Sequence, residues 1–160
     1  MKKRSVSTVT GDQVILFLIL AVALIARFRY LLYIEHNVDH AYTVWQAMRT
    51  VDLGVFPLTG QRTSVLFDNP PLTGYLLTPV WMLTRSPLGV YVFIISLNWL
   101  SVWLTYRATR ILAGGKLALV TSGLMAVNPW VVEYSRTSWA QSLLPFFVCA
   151  VAWLLWPVLM

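Results

Sequence analysis

The sequence predicts an all-α membrane protein with about four transmembrane helices and an extracytoplasmic loop that contains short interfacial helices. Of its 160 residues, 58% are hydrophobic and only 11% are charged, which is less than half the roughly 25% expected of a soluble domain. Several apolar runs approach the about 20 residues that one helix needs to cross a bilayer. The 12 Lys and Arg residues are scattered between these runs, so they predict topology rather than a nucleic-acid-binding face.

Four apolar segments are the predicted spans, and together they form a single transmembrane domain over residues 1–160. The first span follows the basic residues 2–4 and is long enough only if Arg27 and Arg29 extend their charged ends to the far interface. The same layout is compatible with a signal peptide, with residues 21–23 as a cleavage-like triplet, but the apolar stretch continues past them and an uncleaved span is favoured. The predicted spans are residues 14–34, 88–106, 117–132 and 139–157.

Residues 35–87 form the predicted outer loop, because most of the acids, both histidines and several turn-forming glycines and prolines lie there. A short helix is predicted over His40–Val51. The apolar run Leu72–Leu83 has only about 12 residues and would cover about 18 Å, which is too little for a hydrocarbon core of about 30 Å. This run is therefore predicted to be an interfacial or re-entrant helix.

The distribution of basic residues supports this count of spans. If the run 72–83 does not cross the membrane, the basic residues that follow the second span lie on the same side as residues 2–4. Six basic residues then fall in two short segments, which predicts a cytoplasmic N-terminus, although the opposite side carries six over a longer loop. This topology places Asp39, Glu133 and Arg136 on the extracytoplasmic side.

Asp39 is the strongest candidate for a catalytic residue, because it lies a few residues past the outer end of the first span. A carboxylate at the membrane surface could act as a general base toward a lipid-linked substrate. The alternative is a solvated loop aspartate or the N-cap of a helix, since residues 41–48 have a helical composition.

Other polar residues of the outer side leave two kinds of site open. His36 and His40 are four residues apart, a spacing that would place both on one helix face and could bind a divalent metal. No third ligand can be named, so no metal site is predicted and a solvated loop is favoured. Arg62, Arg85 and Arg136 could each hold a phosphate, or contact lipid headgroups instead.

A series of short motifs, taken in order, resembles a known family. The motifs are DHAY at 39–42, GVFP at 54–57, NPPLTGYL at 69–76, TYRATRILAG at 105–114, NPW at 128–130 and EYSR at 133–136. Their order and spacing are similar to the N-terminal part of the GT-C integral-membrane glycosyltransferases. The similar branch includes protein O-mannosyltransferases, lipid A aminoarabinose transferases and lipopolysaccharide sugar transferases. This resemblance covers the chain roughly from Arg27 to Trp153.

The resemblance implies a hexosyl- or pentosyltransferase that moves a sugar from a polyprenyl-phosphate donor to a lipid, glycan or protein acceptor. Asp39 takes the place of the family's essential loop aspartate, which implies a catalytic base or a group that positions the acceptor. His40 stands where a glutamate is frequent, and Asn69 stands where a basic residue often precedes the prolines. Both are predicted from the resemblance to bind substrate. Donor phosphate would then be bound by another cation, for which Arg62 and Arg136 are the candidates.

The family also implies a setting and a set of partners. We expect an integral protein of a bacterial or archaeal plasma membrane, in contact with membrane lipids and with no nucleic-acid partner. No cofactor is predicted, and no glycine-rich loop of the Gly-x-Gly-x-x-Gly type is present to bind a nucleotide. Gln141 stands where the family often has an acid.

Another class of function remains open, namely a non-enzymatic membrane subunit or a fragment of a transporter. A transporter should place ionisable groups within its spans, whereas the clearly intramembrane polar residues here are few, such as Ser96, Asn98 and Ser101. Because the GT-C core has more than four spans, the chain is expected to be the N-terminal portion of a transferase, and this portion alone is expected to be inactive.

Overall fold

The computed structural model describes residues 11–29, 31–33, 38–62 and 66–159, with side chains as far as residue 155. Over these residues the protein is all-helical, as predicted, and the only extended pairing described is an isolated bridge between Arg62 and Asp68. The helices are α1 Gly11–Phe28, α2 Val38–Leu53, α3 Leu72–Thr84, α4 Pro87–Ala113, α5 Gly115–Val127, α6 Pro129–Tyr134 and α7 Leu144–Leu159, with 3₁₀ turns at Leu31–Tyr33 and Ala140–Leu143.

Two segments of the described chain are long and apolar enough to cross a membrane, fewer than the four predicted. They are Gly11–Tyr33, which contains α1, and α4. The apolar helices Gly115–Val127 and Ala140–Leu155 are shorter, and 13 residues of α5 reach only about 20 Å.

Local sequence explains why the third and fourth predicted spans are shorter than expected. A continuous helix over 117–132 was predicted, but α5 ends at Val127 because Asn128 leaves the helical conformation and caps α6. Its side chain accepts a hydrogen bond from the backbone N–H of Val131, and Pro129 occupies the first helical position. In the fourth predicted span, the 3₁₀ turn Ala140–Leu143 replaces the first turn of α-helix.

The long helices pack in two opposite directions. Helices α1 and α5 run parallel, since the Asp12 carboxylate lies beside Gly115 at one end and Arg27 bonds to Ala126 at the other. Helix α5 turns back from α4 at Gly114, so the two are antiparallel. We call the end of the bundle that contains Gly114 the turn end, and the opposite end the loop end.

Helix α4 lies at the centre of the bundle, in contact with α1, α3, α5 and α7. It runs parallel to α7, because Asn98 Nδ2 donates to the Ser142 carbonyl over 2.8 Å while Thr105 Oγ1 lies 3.3 Å from Cys149 Sγ, further along both helices. The loop end therefore brings together the last residues of α1 and α5 and the first residues of α4 and α7.

Arg27 does not extend toward an interface as expected but is fully buried. Its guanidinium donates to the carbonyls of Ala23, Ala126 and Met125, at 3.3, 3.1 and 3.1 Å. The last carbonyls of a helix have no partner within the helix, so Arg27 supplies the donors that the end of α5 lacks and joins it to α1.

The loop 35–87 contains two helices, as predicted. They pack side by side, and α3 contacts α4. The short helix predicted over 40–51 is α2, which is two residues longer at each end. Helix α3 is as short as predicted. It ends at Thr84, and the following residue, Arg85, leaves the helix with a backbone φ of 48°. One apolar cluster joins helices α2 and α3 to the rest of the bundle. It consists of Val44, Ala47, Leu77, Trp81, Val90, Ile94 and Leu143.

Candidate active site at the loop end

A pocket of about 590 Å³ lies between the start of α2, the loop 60–70 and the 3₁₀ turn before α7. This volume falls within the range of about 300–1,000 Å³ that is typical of small-molecule sites. The polar and aromatic side chains in its wall include Asp39, Gln46, Gln61, Arg62, Asn69 and Trp139. The structure therefore brings together three residues that the sequence predicts separately, namely Asp39, Arg62 and Asn69.

Asp39 occupies the first turn of α2 and is half-buried in the pocket wall. A carboxylate is favoured there because the N-terminal end of a helix carries a partial positive charge. Gln61 Nε2 donates a hydrogen bond to Asp39 Oδ1. One carboxylate oxygen is thus fixed by the opposite wall, which orients the group toward the cavity.

The loop 60–69 doubles back on itself and forms the wall that faces α2. The Gly60 amide donates to the Asn69 carbonyl over 2.6 Å, and the Asn69 amide donates to the Gln61 carbonyl over 3.0 Å. A Cβ atom on Gly60 would lie 2.6 Å from the Pro70 carbonyl oxygen, so only glycine allows this close approach. This pairing places Arg62 and Asn69 at the same pocket although seven positions separate them.

Arg62 supplies the pocket with a cation. Its side chain is exposed, and no carboxylate of the described residues lies within ion-pair distance of it. A guanidinium presents a planar fork of N–H donors that matches two oxygens of a phosphate. The pocket thus combines a carboxylate held by Gln61 with a guanidinium that is available to an anion.

His40 does not line this pocket. The residue is 5% exposed, and its ring lies edge-on to Trp139 with 5.9 Å between the ring centroids. Its carbonyl accepts a hydrogen bond of 2.9 Å from Ser138 Oγ. Instead of contacting a pocket ligand as predicted, His40 packs behind Trp139, which does line the pocket.

Arg136 also lies outside the pocket. It follows α6 and forms an ion pair of 3.8 Å with Glu133, three residues earlier. Arg85, the third cation considered from the sequence, pairs with Asp52 at the end of α2. Of the predicted phosphate-binding arginines, Arg62 alone lines the described pocket.

No group of three or more metal-ligating side chains is found in the described part of the chain. His36, the other histidine considered from the sequence as a metal ligand, lies outside the described residues. His40 itself faces Trp139. The described donors in the pocket are a single carboxylate, amides and hydroxyls.

Several pocket residues were not among the predicted site residues. Thr43 and Gln46 follow Asp39 by four and seven positions and share its helix face, so the periodicity of α2 could have identified them. Gln46 Nε2 donates to the Thr59 carbonyl over 2.9 Å and fixes the start of the loop. Gln61 precedes Arg62 directly, but its contact with Asp39 depends on the folded loop.

A row of aromatic rings approaches the pocket from the surface of the bundle. Trp130 and Tyr134 are nearly parallel at 6.1 Å between centroids, and Tyr134 and Trp139 at 6.3 Å. Trp130 is 71% exposed, whereas Trp139 forms part of the pocket wall. The pocket therefore borders an aromatic surface that extends outward along α6.

Comparison with protein-family models, curated proteins and solved structures found no match for this chain. Its function is therefore inferred from its own residues and their arrangement.

Proposed function

We propose that this protein is a membrane glycosyltransferase that moves a sugar from a polyprenyl-phosphate donor to a lipid, glycan or protein acceptor on the extracytoplasmic face. The observation that carries the proposal is that Asp39 and Arg62 line the same pocket. Gln61 fixes Asp39 by a hydrogen bond, and Arg62 has no ion-pair partner among the described acids. Asn69 adds an amide to the same pocket.

The proposed reaction uses these groups in one displacement. The acceptor hydroxyl attacks the anomeric carbon of the sugar, and the bond from that carbon to the phosphate oxygen breaks. Asp39 accepts the hydroxyl proton, and the polyprenyl phosphate leaves with the bonding electrons and a negative charge that Arg62 stabilises. A single displacement of this kind inverts the configuration at the anomeric carbon.

The outer faces of the bundle support a location in the membrane. Large apolar side chains on α1, α5 and α7 are exposed over areas that a soluble monomer rarely presents. They include Phe17, Leu18 and Ile25 on α1, Leu117, Val120 and Leu124 on α5, and Val148, Val151 and Leu154 on α7. Only 12% of the apolar window of α1 is buried in the protein, unlike the core helix of a soluble domain.

We infer four membrane crossings from these faces, made by α1, α4, α5 continued by α6, and α7. The alternating directions of the packed helices place both ends of the α2–α3 pair at the loop end. With a cytoplasmic N-terminus, this end and its pocket face the extracytoplasmic side. The exposed rings of Trp130 and Tyr134 lie where a lipid-linked donor would approach, at an interface that favours aromatic residues.

Polar side chains inside the bundle argue against the alternative of a transporter fragment. Ser96 Oγ, Asn98 Nδ2 and Ser101 Oγ each donate to a helix carbonyl, at 2.6 to 3.0 Å. Transport pathways instead present ionisable groups to a cavity near the midplane. These bonds satisfy helix carbonyls, which favours a structural role for the three residues.

The test is Asp39→Asn in the full-length protein, assayed in membranes against a panel of polyprenyl-phosphate hexoses and pentoses. We expect the rate of sugar transfer to fall by about 10²- to 10⁴-fold, the usual contribution of a general base. Asp68→Asn is the matched control, because Asp68 is an exposed acid of the same loop that does not line the pocket.

Membrane integration of both variants is measured by flotation with lipid vesicles. Transfer that persists in Asp39→Asn, or falls equally in Asp68→Asn, would remove Asp39 from the catalytic role. Absence of transfer by the unmodified protein from every donor in the panel would refute the glycosyltransferase proposal.

A further inference from the structure

At the turn end of the bundle, far from the pocket, Arg107 lies between two tryptophans. Its Cζ atom is 5.3 Å from the ring centroid of Trp103 on α4 and 5.5 Å from that of Trp153 on α7. The two rings are 5.7 Å apart and inclined by 66°. Two helices therefore hold this guanidinium by cation–π contacts.

The cation–π contacts leave the N–H donors of Arg107 without a hydrogen-bond acceptor among the described residues. It is exposed, and no described acid lies within ion-pair distance of it. A guanidinium held by aromatic rings retains its planar fork of donors, which fits the oxygens of a phosphate. Because its orientation is already restricted, less side-chain entropy is lost when an anion binds.

Two more cations lie at the same end of the bundle. Arg110 follows one turn later on α4, where its Nη1 donates to the Tyr106 hydroxyl over 3.3 Å. Lys116 begins α5 and is exposed. Among the described acids, only Asp12 is near this end, beside Gly115, so positive charge predominates.

The outer face of α7 at this end of the bundle is apolar. Val151, Leu154 and Leu155 are 52, 60 and 51% exposed there, on the side of the helix turned away from Trp153. A ligand that contacts both Arg107 and these side chains needs an anionic head and a hydrocarbon tail. A free phosphate or a sugar phosphate would leave this apolar surface uncovered.

We propose that Arg107, held by Trp103 and Trp153, binds the phosphate of an anionic phospholipid, with Arg110 and Lys116 adding to the attraction and the apolar face of α7 contacting the acyl chains. The inference rests on the membrane location proposed above and is independent of the chemistry at Asp39. Basic residues at the end of a helix bundle are a known mode of lipid recognition.

The experiment titrates phosphatidylglycerol onto the purified full-length protein and measures bound lipid by native mass spectrometry, with phosphatidylcholine as the neutral comparison. We expect preference for phosphatidylglycerol, and Arg107→Gln should raise its Kd by about fivefold or more. Arg107→Lys keeps the charge without the fork and should recover only part of the loss. The matched control is Arg49→Gln, since Arg49 lies 5.2 Å from the ring of Trp45 alone.

Three results would overturn the inference. They are equal binding of the two lipids, equal effects of the Arg107 and Arg49 variants, or full recovery by lysine. Displacement of the lipid by an equal concentration of inorganic phosphate would assign the site to free phosphate instead. Vesicle flotation separates this failure from that of the proposed function, because a protein that fails to enter vesicles refutes the membrane location itself.

Discussion

At the scale of single residues, the buried Arg27 has the clearest structural role. Two of its three hydrogen bonds join the last turn of α1 to the end of α5, where Met125 and Ala126 would otherwise have carbonyls without donors, and the third goes to Ala23 in α1 itself. A carbonyl that is left unsatisfied in an apolar environment destabilises a fold by about 1–3 kcal/mol. This arginine therefore stabilises the packing of two helices that are about 100 positions apart in the sequence.

We expect Arg27→Met to lower the free energy of unfolding by about 2–4 kcal/mol, because methionine fills the space but donates no hydrogen bond. The measurement is unfolding in mixed micelles. Lys116→Met is the control, since Lys116 is exposed and its replacement should change the stability by about 0.5 kcal/mol or less. Equal losses in the two variants would contradict this role of Arg27.

At the scale of elements, the loop 60–69 determines whether the pocket exists. The two ends of this loop lie close together, since the Gly60 amide and the Asn69 carbonyl are 2.6 Å apart. Outside the loop, Gln46 anchors Thr59, and Tyr75 donates from α3 to the Pro57 carbonyl over 2.6 Å. Helices α2 and α3 thus hold the segment that presents Arg62.

We expect Gly60→Ala to open this loop, because the added Cβ would lie 2.6 and 2.8 Å from the carbonyl oxygens of Pro70 and Asn69. Overpacking of this kind costs about 1–3 kcal/mol. Cleavage by trypsin after Arg62 should become faster. The rate of sugar transfer should fall, because the contact between Gln61 and Asp39 would be lost.

Gly74→Ala is the control for that substitution. A Cβ there would meet its nearest atom, Gln46 Oε1, at 3.4 Å, an ordinary contact. Unchanged trypsin cleavage in Gly60→Ala would show that the loop tolerates the side chain and that its close pairing is not essential.

Local patterns in the sequence predicted some parts of the site and missed others. Asp39 could be predicted because it follows an apolar span, and Arg136 could have been set aside because Glu133 is only three residues before it in the sequence. Asparagine and proline at 128–129 also indicated a break in the helix of the third apolar run. The predicted span 117–132 nevertheless continued through this break. By contrast, the contact of Gln61 with Asp39 joins residues 22 positions apart, and no local pattern reports it.

At the scale of the whole molecule, the directions of the helices predict which residues share a side of the membrane. The pocket lies at the loop end, and Arg107, Arg110 and Lys116 lie near the turn end. In the membrane location proposed above, the two ends would be exposed to different compartments. The positive-inside rule would then place the turn end in the cytoplasm.

Cysteine labelling tests this arrangement in Cys149→Ala, since Cys149 is the only cysteine of the sequence. We expect Arg62→Cys to react in intact cells with a maleimide that does not cross membranes, and Arg110→Cys to react only after the cells are opened. Both positions are exposed in the fold, so their accessibility should depend on the membrane. The reverse pattern, or labelling of both in intact cells, would contradict the proposed topology.

The contact between Arg27 and the end of α5 also has a consequence for biosynthesis. Because α1 is translated long before α5, Arg27 leaves the ribosome without the carbonyls of Met125 and Ala126 that it finally binds. In the proposed membrane topology, its charge must be held at the lipid boundary or by the insertion machinery during this interval. In that topology α1 reaches its final depth only after α5 has been inserted, so membrane entry of α1 is completed late and depends on sequence about 100 residues downstream.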